Sequence, residues 1–224
     1  MNAAAWETVA DLSGIGPGVS VLDVGCGTGR FCAFAGGRGA AVHGIDVDAA
    51  RLEQALQRLP GADLRLGLLE DLPWPDATFD VVTGFNAFQY ALDIELALAQ
   101  ACRVTRPGGR IAICKWDRPE HNELFALLAD VSDRGIDLNR LPASDPVEDA
   151  IARARLDVAF AGTIPVTIEI ADDEALAAAL ASADAFTAAT GAPHLVDVAS
   201  PYRQADGSYR FSNRLMYRIA IVVA

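Results

Sequence analysis

Along the first half of the chain, short apolar runs alternate with stretches in which apolar residues recur every three or four positions. The runs at 19–24, 41–46, 64–68, 79–84 and 110–115 predict five strands, each short, apolar and bounded by turn residues. Between them the spacing changes. Residues 49–59 place Leu52, Ala55, Leu56 and Leu59 on one helical face, and Pro60-Gly61 stops that helix. Residues 31–37 predict the start of a helix after a run of glycines. Asp93 is placed to cap a helix over 94–104, which ends before the turn signal Arg106-Pro107-Gly108-Gly109. Strands and helices alternating in this way imply βαβ crossovers, hence a parallel sheet with helices on both faces.

Beyond residue 116 the alternation gives way to a polar, helical stretch over 117–155, broken at Pro119, Pro142 and Pro146. Residues 158–170 read as β, 172–183 as a capped, Ala-rich helix and 209–223 as a long closing strand. The last two β segments are expected to extend the same sheet, one of them antiparallel. No Gly- or Ser-rich linker interrupts the chain, so one domain over 1–224 is expected. Its class is α/β: a Rossmann-like, doubly wound, mostly parallel seven-stranded sheet with an antiparallel C-terminal strand. The segment 117–155 is the expected helical lid over a substrate site.

The candidate chemistry sits where the first strand ends. In VLDVGCGTGRF, residues 21–31, three glycines follow an apolar run, at Gly25, Gly27 and Gly29. Ligands of open α/β sheets bind beyond the carboxyl ends of the strands, and glycine lets a ligand approach the main chain with no Cβ in the way. The spacing is G-x-G-x-G, whereas the dinucleotide fingerprint is G-x-G-x-x-G. Asp23, two residues before Gly25, suits a bound ammonium better than a phosphate. Asp46, closing the second strand, is placed to accept two hydrogen bonds from a ribose diol. A ligand with an amino acid at one end and a nucleoside at the other satisfies both carboxylates, which describes S-adenosylmethionine (SAM) or its product S-adenosylhomocysteine (SAH). The plainer alternatives are a purely structural turn and an Asp46 that only caps the next helix.

These residues, with GIDVDAARL at 44–52, LGLLEDLPWPDATFDVV at 66–82 and RVTRPGGRIAI at 103–113, resemble class I SAM-dependent methyltransferases, nearest to the small bacterial type-11 group acting on small molecules. The resemblance covers residues 19 to about 116, and 200–220 is similar to a run that ends many bacterial members. It implies that Gly25, Cys26, Gly27 and Gly29 contact the methionine portion, with Asp23 near its amino group. It also implies that Asp46 holds the ribose hydroxyls and that Val47 packs on one adenine face. The place of the acidic residue that commonly meets the adenine amino group is taken by Leu68, so that contact is assigned to the Leu69 backbone and Glu70. Phe85, after strand four, is implied to lie beside the methionine and sulfonium end. About twenty residues precede the Gly-rich strand, fewer than the helical cap of many relatives. That leaves either an open site or a lid role for 117–155.

Composition narrows the partners. A net charge of −12 opposes phosphate backbones, and the arginines are spread with very few lysines, so nucleic acid is not expected and a small-molecule substrate is. No apolar stretch approaches the ~20 residues of a membrane span, and the start carries acids where a secretory signal has bases. A cytoplasmic monomer or homodimer is expected. Cys26, Cys32, Cys102 and Cys114 lack zinc-site spacing and read as buried, reduced thiols, with no metal.

Methyl transfer is an in-line displacement at a sulfonium carbon, so an enzyme chiefly holds the acceptor in a near-attack geometry. A general base helps a hydroxyl or an acidic carbon. Candidate substrate-lining residues follow strands four and five: Asn86, Gln89 and Tyr90, then Trp116 and His121. His121 is the best-placed base, since imidazole titrates near neutrality; the plainer reading is a solvent-facing histidine at a helix start. Tyr90 is the other catalytic candidate. Tyr90 and Trp116 form an aromatic wall for a flat substrate or only bury apolar area. His43 is expected to pack within the sheet, and His194 reads as a loop residue. N-, O- and C-methylation stay open. Two other readings are a SAM-binding cyclase, isomerase or non-catalytic SAM-binding protein, and an NAD(P)-dependent reductase, which the glycine spacing opposes.

Overall fold

The computed structural model describes residues 3–131, 144–181 and 195–223. Its strands are β1 (Ser20–Val24), β2 (Ala41–Asp46), β3 (Asp63–Leu66), β4 (Phe79–Phe85), β5 (Thr105–Trp116), β6 (Asp157–Ile170) and β7 (Tyr209–Ile221). They form one seven-stranded sheet in the order β3-β2-β1-β4-β5-β7-β6. β1 pairs in parallel with β2 and β4, β2 with β3, and β4 with β5. β7 runs against β5: Gly108 N–H donates to the Val222 carbonyl, and Asp117 N–H to that of Arg214. Strand order reverses between β1 and β4, the place where such sheets take ligands.

The helices follow the sequence pattern closely where their caps are local. α1 (Ala3–Ser13) precedes the sheet, and α2 (Arg30–Gly37) starts directly after Gly29. α3 (Ala49–Arg58) is capped by Asp48, whose carboxylate accepts from the N–H groups of Ala50 and Arg51, and it buries Leu52 and Ala55. α4 (Ile94–Val104) is capped by Asp93, which accepts from Leu96 N–H at 3.0 Å. The predicted helical stretch 117–155 resolves into α5 (Glu123–Val131) and α6 (Pro146–Arg153), with 132–143 outside the described residues. α7 (Asp173–Ala181) and α8 (Leu195–Ala199) complete the set, and His194 lies outside the described residues.

The chain forms two compact units, the first of residues 1–115, 144–164 and 216–224, the second of 116–143 and 165–215. The stretch expected as a lid is therefore divided, with α5 in the second unit and α6 in the first. In the first unit β1 packs on both faces. Leu22 and Val24 join Phe79, Phe88, Leu98 and Ile111 in one cluster, while Val21 packs with Phe31, Ala35 and Val81 in another. The second unit has its own core around Leu127, Leu176, Tyr209 and Phe211. All four cysteines are free, three of them buried and Cys102 half-buried. His43 packs within the sheet, its ring edge-on to Phe79 at 5.0 Å. No helix among the described residues is long and apolar enough to cross a membrane.

β5 and β3 show how far an element's extent can depart from the apolar pattern. β5 starts at Thr105, five residues early, because the Pro107–Gly109 turn is drawn into pairing with the chain end: Val222 N–H donates to the Gly109 carbonyl at 3.0 Å. β3 spans only four residues, and its pairing with β2 ends at Leu66 opposite Asp46.

Candidate functional site

The site is built around a turn whose left-handed backbone favours glycine. Gly25, Gly27 and Gly29 have φ of 70°, 53° and 73°, in the left-handed region that costs other residues ~1–2 kcal/mol. Two of them also lack room for a side chain. A Cβ on Gly25 would stand 2.7 Å from that of Ala87, and one on Gly29 would stand 2.9 Å from that of Ala55. Gly27 has open space around it, so the middle of the turn presents bare main chain. Gly25 and Cys26 N–H both donate to the Ile45 carbonyl, at 2.8 and 3.0 Å, which ties the turn to the end of β2.

Asp46 completes that tie. Its Oδ2 accepts from Gly27 N–H at 2.6 Å and its Oδ1 from Asp48 N–H at 2.9 Å, so one carboxylate joins the glycine turn to the start of α3. Asp23 lies beneath the turn and is 3% exposed. Thr83 Oγ donates to its Oδ1 at 2.8 Å, and the Cys32 thiol lies 3.8 Å from its Oδ2. β1–β4 register sets this contact by placing Asp23 opposite Thr83. Burial pushes the Asp23 carboxyl up to about 7, against the lowering pull of Thr83 and Cys32, and the Asp46 charge raises it further.

A cavity of about 520 Å³ opens at the carboxyl ends of β1, β2 and β4. Of the residues expected to hold a cofactor, Gly25, Asp46, Val47, Leu69, Glu70 and Phe85 line it. Asp23, Cys26, Gly27 and Gly29 do not line it; Cys26, Gly27 and Gly29 shape the turn that does, with Asp23 beneath. Of the expected substrate residues, Asn86 and Tyr90 line the cavity, Asn86 in an unusual left-handed conformation (φ 52°). Gln89 does not; its Nε2 donates to Asn86 Oδ1 at 3.3 Å, so it steadies a lining residue. Sequence reasoning missed Asp48, Arg51 and Leu92 as wall residues. Asp48 and Arg51 had a readable signal, the capped first turn after β2. Leu92, 87% exposed, had none beyond its place before the α4 cap.

The walls differ in character. Val47, Leu68 and Leu69 give an apolar slot, while Asp46 and Glu70 supply carboxylates. One Glu70 oxygen already accepts from Asp93 N–H at 3.1 Å. The Phe85 ring sits 4.4 Å from that of Phe31, which fixes its position at the cavity edge. A slot, a carboxylate and an open glycine turn in sequence can hold a base, a sugar and an amino-acid chain.

Trp116 and His121 belong to the second unit. The Trp116 ring lies 6.0 Å from Phe125 in an edge-on contact. His121 Nδ1 is 2.9 Å from Asp117 Oδ2, and the other Asp117 oxygen accepts from Arg118 N–H at 2.8 Å.

Residues 22–113 match a family model described as a methyltransferase domain. A malonyl-acyl-carrier-protein O-methyltransferase of Serratia marcescens is 41% identical over 95 residues, 42% of this chain and 37% of that relative. The chain spans about a third to a half of the length of the curated relatives it matches. Among solved structures, the 4+2 cyclase SpnF superposes with a TM-score of 0.65 at 20% identity, over 99% of this chain and 81% of that one. Geranyl diphosphate C-methyltransferase from Streptomyces coelicolor A3(2), solved with Mg2+, geranyl diphosphate and S-adenosyl-L-homocysteine, superposes at 0.58 with 17% identity, over 99% and 80%. At these identities the structural likeness concerns the fold. The matched model, the sheet order and the glycine turn agree on a methyltransferase-like domain over residues 22–113.

Proposed function

We propose that the protein transfers the methyl group of SAM to an oxygen, nitrogen or carbon atom of a small-molecule acceptor. The observation that carries this reading is the join between Asp46 and the glycine turn at the mouth of the cavity. In it the ribose hydroxyls bind Asp46, the adenine lies in the slot of Val47 and Leu69 with Glu70 at its edge, and the methionine portion runs along the turn above Asp23. The sulfonium end faces Phe85, and Asn86 and Tyr90 orient the acceptor. Rate comes from holding acceptor and methyl carbon in line, which contributes on the order of 7–11 kcal/mol to lowering the barrier. Tyr90 is the candidate base on the cavity wall. The net charge of −12 supports a small-molecule acceptor over nucleic acid, and a cytoplasmic setting goes with the reading.

Calorimetric titration with SAM, SAH and NADH tests the cofactor part. Micromolar binding of SAM and SAH without NADH is expected, and Asp46→Ala should weaken both by about a hundredfold or more, as hydrogen bonds to a charged group each contribute ~1.5–3 kcal/mol. Unchanged SAM binding by that variant would sink the reading. A second reading, rearrangement of a bound substrate without net transfer, is favoured by a cavity wall that carries neither histidine nor lysine among the described residues. Product mass separates the two: transfer adds one methyl group and rearrangement adds nothing.

A further inference from the structure

A second cavity, of about 400 Å³, opens at the other end of the same strands, among the C-terminus of α1, the loop before β1 and the first turn of β5. Its wall includes Ser13, Asp80, Arg106 and Arg110. Asp80 and Arg106 offset one another: their side chains pair at 2.5 Å, and the second Asp80 oxygen accepts from Ser20 N–H at 2.8 Å. Arg110 is different. Its guanidinium donates to the Ser13 carbonyl at 3.2 Å, its Nε is buried with no partner, and among the described residues no carboxylate lies within ion-pair distance of it. Ser13 is 2% exposed, and its Oγ is likewise buried without a partner. Unpaired buried donors are uncommon in folded proteins and point to a missing ion, water or ligand. Here two of them, one cationic, belong to residues lining the same cavity.

The surrounding backbone suits an anion. Gly14, Gly18 and Gly108 have φ of 71°, 81° and 79°, and the space beside Gly18 and Gly108 is open, so the loops expose main chain to a ligand. A Cβ on Gly14 would stand 3.5 Å from the Arg110 guanidinium, in contact with the group that would hold the ligand. A guanidinium offers planar, forked donors that match the oxygens of phosphate. In a chain of net charge −12, a cation left unneutralised in a cleft is not part of a general attraction for anions.

We infer that this cavity binds a phosphate group, free or as the monoester of a small molecule, through Arg110 with Ser13 as second donor. The inference is independent of the cofactor site, which occupies the opposite ends of the strands. The test is a titration of the full chain with sodium phosphate and then glycerol 3-phosphate, against sodium chloride at matched ionic strength, following the amide NMR shifts of Gly14, Gly18 and Gly108. Saturable shifts with both phosphates and none with chloride are expected. Arg110→Gln should weaken the binding about tenfold or more, and Ser13→Ala about two- to tenfold, on the scale of a charged and a neutral hydrogen bond. SAH affinity should stay unchanged in both variants, which also reports that they fold. If Arg110→Gln does not fold, Arg110→Lys and Ser13→Ala carry the comparison. Equal affinity for the two phosphates means that the group alone is recognised, and a tighter ester that its remainder is held too; either supports the site. Shifts that match chloride, or phosphate binding that survives both substitutions undiminished, would overturn it.

Discussion

Asp23 sits under the glycine turn with its carboxyl held at about 7 by burial, so it stays protonated over a range where a free aspartate, at 3.8, is ionised. Between those values the folded chain binds a proton that the unfolded chain has released, so this residue's contribution to stability is lost as pH rises from about 4 to about 7. At ~1.4 kcal/mol per pKa unit the whole loss is on the order of 4 kcal/mol. Asp23→Asn removes the titration while keeping an acceptor for Thr83. Urea midpoints at pH 4.5, 6 and 7.5 should show the parent falling relative to the variant by several kcal/mol across the series, and a constant difference would refute the assignment. Asp23 also shows how far a sequence can be read at this scale. Its place two residues before Gly25 is legible, but its protonation comes from burial, which is set by the packed fold and acts against the lowering pull of Thr83, 60 residues away, and of Cys32. The helix-capping roles of Asp48 and Asp93 need only their own next turn, and Asp93's was readable from the sequence alone.

At the scale of elements, the same distinction between near and far partners decides which boundaries the apolar pattern locates. β2 and α4 fall on the predicted residues, since both are bounded by their own caps and turns. β5 starts early because Val222, more than a hundred residues later, pairs with its first turn. α1 was not predicted at all; its alanines show no clear period, and its Trp6 finds partners only once Phe31 and Phe34 are brought near. Two predictions belong here. Gly25→Ala combines a left-handed φ with a Cβ 2.7 Å from Ala87 and should cost about 2–4 kcal/mol, whereas Gly27→Ala meets nothing within 4 Å and should cost about 1–2. Denaturant midpoints for the pair would show the ranking, and equal losses would mean that the crowding at Gly25 is relieved by a small shift. The second concerns α6. Asp145 caps it by accepting from Val147 N–H at 2.9 Å and also pairs with the buried Lys115 ammonium at 2.6 Å. Asp145→Ala removes an ion-pair partner of Lys115 and the helix cap together, so a loss of ~2–4 kcal/mol is expected by urea unfolding, with Asp145→Asn milder because it keeps an acceptor.

For the molecule as a whole, net charge acts on the cofactor and its product unequally. SAM carries a sulfonium, an ammonium and a carboxylate, one net positive charge, whereas SAH has lost the sulfonium and is neutral overall. The chain bears −12, and among the described residues carboxylates of Asp46, Asp48 and Glu70 line the cavity with the Arg51 guanidinium. A field of that sign attracts SAM over distances that salt controls, with a Debye length of about 30 Å at 0.01 M and about 8 Å at 0.15 M. Affinity for SAM should therefore fall several-fold between those concentrations while affinity for SAH changes little, as read by calorimetry on one preparation. In the proposed reaction the asymmetry favours turnover, since the transferred methyl group takes the attraction with it and the neutral product leaves an acidic cavity. A salt dependence shared equally by SAM and SAH would place the attraction in contacts common to both, at the ribose and amino-acid ends, and would remove charge loss as an aid to product release.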